Sequence, residues 1–107
     1  MNIKLWLPYY TKKLSPLGYT LSKSRRNGYR NGYSYYYKSS KLFPTIRLSD
    51  HDLHPNQLRD NIINIKVYTR GYKMNDVYVN DLDMKVLKKS SIEYIMLELS
   101  LFKNGKL

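Results

Sequence analysis

Two segments in the middle of the chain alternate between apolar and polar residues, which is typical of half-buried β-strands. In residues 43–50, Ile46 and Leu48 fall on one side of the predicted strand and Arg47 falls on the other. Residues 61–68 repeat the pattern with an apolar side made of Ile63, Ile65 and Val67. Each segment therefore predicts a strand with one face in a core and one face toward solvent.

A hairpin is predicted before these two strands. Residues 18–24 and 33–38 are rich in residue types favoured in strands, and two Asn-Gly pairs separate them. Tyr33, Tyr35 and Tyr37 fall on one side of the second segment. Two interpretations of these tyrosines are open: they pack in the core, or they contact a partner.

The two ends of the chain follow other patterns. Residues 1–17 contain Pro8 and Pro16 among apolar and basic residues, which favours an extended arm or a short edge strand over a helix.

Toward the C-terminus the period becomes helical. Asp81 is placed to cap a short helix, and Ser90 with Glu93 has the capping-box spacing for a second helix. Residues 91–103 fit a helix best, although their alternation also leaves a strand open.

These segments predict an α+β fold in a single domain of 107 residues. The expected architecture is a small antiparallel sheet of three to five strands, with one or two C-terminal helices and a basic N-terminal arm or hairpin. Within the domain we expect an arm over 1–17, a basic Tyr/Arg-rich hairpin or flexible segment over 18–42, and the α+β core over 43–107.

Charge is distributed unevenly along this domain. Residues 1–49 contain ten Lys or Arg and no Asp or Glu, whereas residues 50–107 contain nine basic and eight acidic residues. Concentrated like charge disfavours a compact state unless a partner supplies the opposite sign. Nucleic acid is the favoured partner because phosphates neutralised by Lys or Arg release condensed counterions. An acidic protein surface stays open, and no membrane partner is expected because the basic half has no long amphipathic helical stripe.

The most distinctive motif lies between the two hairpin segments. Arg26-Asn27-Gly28-Tyr29 is followed at once by Arg30-Asn31-Gly32-Tyr33. Arginine contacts phosphates or stacks on bases, and tyrosine offers a ring to a base face, so the motif indicates binding to single-stranded nucleic acid. The competing interpretation is that Asn-Gly forms hairpin turns and the tyrosines belong to strands.

One cluster has the residue types of a metal site, namely Asp50-His51-Asp52-Leu53-His54. A metal-dependent nuclease would need such ligands. An Asp-initiated turn explains the same residues and is favoured, because no partner cluster occurs elsewhere in the chain. We therefore predict no catalytic residue, no metal and no cofactor. The chain has no cysteine, which excludes disulfides and thiolate metal sites and allows a reducing compartment.

Two strings resemble a known family. Ile46-Arg47-Leu48-Ser49-Asp50-His51 and Asn61-Ile62-Ile63-Asn64-Ile65-Lys66 are similar to strands of the small basic phage anti-CRISPR proteins of the broad-spectrum streptococcal type, which inhibit the type II-A RNA-guided nuclease. The resemblance spans about residues 23–90 and includes a preceding segment rich in Arg, Tyr, Ser and Asn. This chain departs from the family in three ways: Asp50 stands where the family has Asn, a Trp- and Pro-containing arm precedes the basic segment, and the last segment is strongly apolar.

The resemblance implies an inhibitor that binds the nuclease together with its guide RNA in the host cytoplasm and blocks DNA cleavage. The residues expected to contact RNA or nuclease are Lys23, Arg25, Arg26, Tyr29, Arg30 and Tyr33, followed in rank by Arg47 and His51. The alternatives are a general RNA-binding, single-stranded-DNA-binding or ribosome-associated protein and, behind these, a metal-dependent nuclease. The oligomeric state is left open.

Overall fold

The computed structural model describes residues 3–26, 33–49, 61–68 and 74–103. In chain order its elements are a 3₁₀ helix Ile3–Trp6, α1 Leu7–Leu14, a 3₁₀ turn Ser15–Leu17, β1 Tyr19–Arg26, β2 Tyr33–Ser39, β3 Thr45–Ser49, β4 Asn61–Tyr68, β5 Met74–Asp81 and α2 Met84–Lys103. The five strands form one antiparallel sheet in the order β1-β2-β3-β4-β5. The predicted α+β class is confirmed, with five strands and one C-terminal helix.

The expectation of an extended arm over 1–17 is wrong. Both prolines lie in the first turn of a helical segment, where the missing N–H removes no helical hydrogen bond. Apolar residues then recur every three or four positions and are buried, namely Ile3, Trp6, Tyr10 and Leu14. The segment is therefore an amphipathic helical unit whose apolar stripe joins the core.

Gly18 turns the chain from this helical unit into β1. Its φ of +80° lies in the left-handed region that glycine adopts without a steric cost. A Cβ at this position would lie 2.7 Å from Ser40 Oγ, and the Gly18 carbonyl accepts the Ser40 N–H at 3.0 Å. Glycine thus permits the close approach of the turn to the end of β2.

The predicted alternation of the middle strands is confirmed. Ile46, Leu48, Ile63, Ile65 and Val67 are fully buried on one face of the sheet. Tyr35 and Tyr37 lie on the same face and are buried, so the core interpretation is confirmed for these two tyrosines. Sequence reasoning did not predict β5, which adds Val77 and Val79 to the edge of this core.

One continuous helix replaces the two predicted C-terminal helices. Asp83, not Asp81, accepts the backbone N–H groups at its start, from Lys85 at 2.8 Å and from Val86 at 3.4 Å. Asp81 instead accepts the Asp83 N–H at 2.8 Å and shapes the turn before the helix. The Ser90–Glu93 capping box is wrong because both residues lie inside α2, and the strand alternative for 91–103 is excluded.

Both helices cover the same face of the sheet. The hydroxyl of Tyr37 donates to the Leu7 carbonyl at 3.4 Å and lies 2.9 Å from Thr11 Oγ1, which attaches α1 to β2. Tyr10 Oη lies 2.8 Å from Ser91 Oγ, which joins α1 to α2. The opposite face, called the distal face below, is the side that carries Tyr36, Lys38, Thr45, Arg47, Lys66 and Tyr68.

Candidate nucleic-acid interface

Antiparallel pairing aligns residues of all five strands in a row across the distal face. Residues directly opposite each other in an antiparallel pair share a face of the sheet, and neighbouring strands lie about 4.8 Å apart. From β1 to β5 this central row consists of Lys23, Tyr36, Arg47, Lys66 and Asp76. Three of its five positions are basic, although they come from three different strands.

A second row, the polar row, runs beside the central row. From β1 to β5 it consists of Arg25, Ser34, Ser49, Asn64 and Tyr78. Its middle members are almost completely buried, at 2% exposure for Ser34, 0% for Ser49 and 1% for Asn64. Ser34 Oγ donates to Ser49 Oγ at 3.3 Å, and Asn64 Nδ2 donates to the Val77 carbonyl at 3.2 Å. These hydrogen bonds satisfy polar groups in the middle of the sheet.

The polar row holds Arg47 in place. Arg47 Nη2 donates to Asn64 Oδ1, and the amide of Asn64 is itself anchored to the backbone of β5. The Arg47 side chain is half-buried. Among the described residues its Nε is buried without a hydrogen-bond partner, which leaves one donor of an ordered guanidinium unpaired.

A groove opens beside Arg47, called the tyrosine groove below. It is lined by Tyr36, Lys38, Thr45 and Tyr68 and has a volume of about 390 Å³. The ring centroids of Tyr36 and Tyr68 are 6.5 Å apart, with the ring planes inclined by 32°. The two tyrosines belong to β2 and β4, which flank β3, so both rings lean over β3 to come this close.

The charged residues in the four strands at and beside the groove are all basic. Strands β1 to β4 contain no Asp or Glu, and the first acid in the sheet is Asp76 of β5. Lys38 is exposed and Lys66 is half-buried. The basic first half of the sequence thus supplies β1, β2 and β3, and Lys66 extends the positive charge of these strands into β4.

The structure brings together some of the predicted contact residues and separates others. Lys23 and Arg25 occupy positions that share the distal face with Arg47, at the β1 edge of the two rows. Arg26 pairs with Tyr33, one position further along, on the opposite face of the sheet. Tyr29, Arg30 and His51 lie outside the described residues.

Four residues of this surface were not singled out by sequence reasoning, namely Tyr36, Lys38, Lys66 and Tyr68. The signal that identifies them is the alternation itself, because each falls on the polar side of a predicted strand. Finding the groove also requires the pairing of β2 with β3 and of β3 with β4.

No metal-binding group appears in the described part of the chain, where no three His, Asp or Glu side chains come together. The cluster Asp50–His54 lies outside the described residues. Among the described helices, none is both long and apolar enough to cross a membrane.

Comparison of the chain with protein-family models, with curated proteins and with solved structures finds no match. The fold and the distal face are therefore the basis on which a function is proposed.

Proposed function

We propose that this protein binds nucleic acid through the distal face of its sheet. The observation that carries this proposal is the alignment of Arg47 and Lys66 in one row, beside Lys38, on strands that contain no acid. Lys66 lies directly opposite Arg47 across the β3–β4 pair. Like charges directly opposite each other destabilise a sheet, and Asp76 is the only acid in this row, opposite Lys66 on the β5 side. A polyanionic partner offsets the repulsion between Arg47 and Lys66 when it binds.

The arrangement suits a phosphate backbone. Arginine binds phosphate with a rigid, forked set of donors, whereas lysine acts as a mobile point charge. Asn64 fixes the guanidinium of Arg47, which reduces the conformational entropy lost when a phosphate is bound. Neutralised phosphates release counterions, so the affinity is expected to fall steeply as salt is raised.

Replacing Lys38 and Lys66 with Gln is expected to lower the salt dependence of binding. For single strands, each lost phosphate contact reduces the slope of log K against log salt by about 0.7, so the double variant loses about 1.4. The slope is measured by fluorescence anisotropy of labelled single-stranded RNA, single-stranded DNA and duplex DNA.

The matched control is the double variant Lys85→Gln/Lys89→Gln. It removes the same net charge from two exposed positions of α2, on the other side of the sheet. The control is expected to keep the slope of the wild-type protein. Equal slopes for the two double variants would contradict the assignment of the distal face, because binding would then follow total charge alone.

The second candidate function is the anti-CRISPR inhibition that the family resemblance implies. The observation that favours it is that the two resembling strings supply neighbouring strands, with Ile46–Ser49 in β3 and Asn61–Lys66 in β4. Their pairing is what sets Arg47 opposite Lys66. In a type II nuclease the protein holds the guide RNA–DNA heteroduplex through its backbone, and a basic sheet face is suited to contact such a backbone.

Binding to a guide-loaded type II-A nuclease separates the two candidates. The inhibitor is expected to bind the loaded nuclease more tightly than free guide RNA or single-stranded DNA at about 150 mM salt, and to prevent DNA cleavage. Equal binding to all polyanions with unimpaired cleavage would leave general nucleic-acid binding and remove the inhibitor. Tight binding to the nuclease without its guide would instead identify an acidic protein surface as the partner.

A further inference from the structure

We infer that the tyrosine groove receives one unpaired base and makes the protein selective for single-stranded over duplex nucleic acid. This inference rests on the proposed binding of nucleic acid by the distal face. It adds the chemical form of the ligand, because a phosphate-binding face alone does not distinguish a single strand from a duplex.

The geometry of the groove fits a flat aromatic ligand. Strands β2 and β4 are two strand spacings apart, or about 9.6 Å, whereas the centroids of Tyr36 and Tyr68 are 6.5 Å apart. The rings therefore converge above β3, and both line an opening of about 390 Å³. Cavities of roughly 300–1,000 Å³ are the usual size of small-molecule sites, so the groove has room for a nucleoside.

The chemistry of the lining fits a nucleotide better than a purely apolar group. Aromatic rings stack on bases of any sequence, since every base has a π-face. Thr45 adds a hydroxyl, and Lys38 adds an exposed ammonium at the rim. With the base in the groove, its phosphate lies within the field of Lys38 and of the central row that contains Arg47 and Lys66.

Charge complementarity selects this occupant over a peptide. Proline-rich peptides also dock in aromatic-lined grooves. Unlike a phosphate backbone, however, they bring no negative charge to the tyrosine groove, whose surrounding strands β1 to β4 contain no acid. A base inside a duplex is stacked on both sides and paired, and freeing it requires a few kcal/mol of unstacking. A single strand presents its bases without that requirement, so the groove favours single strands.

The test replaces both tyrosines with Leu and, separately, with Phe. Leucine keeps the groove walls apolar and removes the flat rings, whereas phenylalanine keeps the rings and removes only the hydroxyls. The probe is a single-stranded oligonucleotide with one fluorescent adenine analogue, in RNA and DNA forms, beside the same sequence as a duplex. Stacking on an aromatic ring is expected to quench the analogue.

Tyr36→Leu/Tyr68→Leu is expected to weaken binding to the single strand by roughly 5- to 150-fold, which corresponds to one lost stacking site, and to abolish the quenching. The Phe variant is expected to keep both. The matched control is Tyr9→Leu, since Tyr9 is a half-buried tyrosine of α1, lies on the helix side of the sheet and does not line the groove. This control is expected to bind as the wild-type protein does. Circular dichroism and thermal unfolding of all variants establish that the fold is kept.

Three outcomes would overturn the inference. The first is that single-strand affinity and quenching persist in the Leu variant. The second is that the wild-type protein binds duplex as tightly as single strands. The third is that a proline-rich peptide binds the groove in preference to the oligonucleotide. In the first two cases nucleic-acid binding itself still stands if the Lys38/Lys66 variant has its lowered salt slope. A wild-type protein that binds no nucleic acid at all would overturn both proposals.

Discussion

Replacing Ile65 with Ala is expected to lower the free energy of unfolding by about 2–5 kcal/mol, the range for truncating a buried aliphatic side chain. Ile65 has no exposed surface and lies on β4, between Leu48 of β3 and Val77 of β5. Its neighbours are held by two strand pairs and by the helices above them, so they cannot collapse into the space left by the removed atoms. In a domain stabilised by about 5–15 kcal/mol, this single change removes a large fraction of the total.

Urea unfolding followed by circular dichroism measures the loss. The matched control is Ile62→Ala, which makes the same truncation on the same strand at a half-buried position of the distal face. Its loss is expected to be about 1 kcal/mol, the centre of the distribution for point mutations. Equal losses at the two positions would mean that the core does not lie on the helix side of β4.

Raising the pH above about 10, the ordinary pKa of tyrosine, is expected to destabilise the folded protein steeply. Burial raises the pKa of Tyr10, Tyr19 and Tyr37, because the charged phenolate is disfavoured away from water. All three side chains are at most 2% exposed. For Tyr10 the hydrogen bond with Ser91, and for Tyr37 the hydrogen bond with Thr11, lowers the pKa by less than burial raises it.

The sign follows from which state loses its protons first. Unfolded tyrosines ionise near about pH 10, whereas these three keep their protons to higher pH in the folded state. The stabilisation is therefore fully present below about pH 10 and falls as the pH rises above it. Each tyrosine contributes a slope of up to about 1.4 kcal/mol per pH unit, so the three together give up to about 4 kcal/mol per unit.

Urea unfolding at a series of alkaline pH values measures this slope, and tyrosinate absorbance reports the ionisation that accompanies unfolding. Tyr10→Phe is expected to reduce the slope by up to about 1.4 kcal/mol per pH unit. The variant leaves Ser91 satisfied, since Ser91 Oγ also donates to the Lys88 carbonyl at 2.7 Å. A Tyr10→Phe protein with the wild-type slope would mean that Tyr10 does not contribute to the alkaline transition.

The elements that were predictable from sequence are those in which local pattern and tertiary environment agree. β4 alternates from Ile63 to Val67, and its apolar residues Ile63, Ile65 and Val67 face the core as the pattern predicts. In β5, Val77 and Val79 are flanked by four Asn and Asp residues, so the strand pattern is weak. Its strand structure depends mainly on pairing with β4, which extends along the whole of β5. The N-terminal helix does not follow from the local pattern because Pro8 and Pro16 disfavour a helix interior, whereas proline is favoured in the first turn of a helix, where both lie.

The candidate site was only partly predictable for a different reason. The basic character of Lys23, Arg25 and Arg47 follows from the sequence, but their common face follows from the strand register. A β-bulge between Leu21 and Lys23 shifts that register in β1, and such irregularities are not visible in a single sequence. Tyr36 and Tyr68 come together across β3. A local sequence pattern cannot show that β3 is the strand that lies between theirs.

The order of the strands also has a consequence for synthesis on the ribosome. Each strand pairs with its neighbour in the sequence, so the hairpins can form as the chain emerges from the N-terminus. The contact between Tyr10 and Ser91, however, joins residues 81 positions apart and cannot form before α2 is made. Until α2 is released, the apolar side of β4 has no cover from that helix. We therefore expect the nascent chain to be prone to aggregation through this apolar surface until α2 docks.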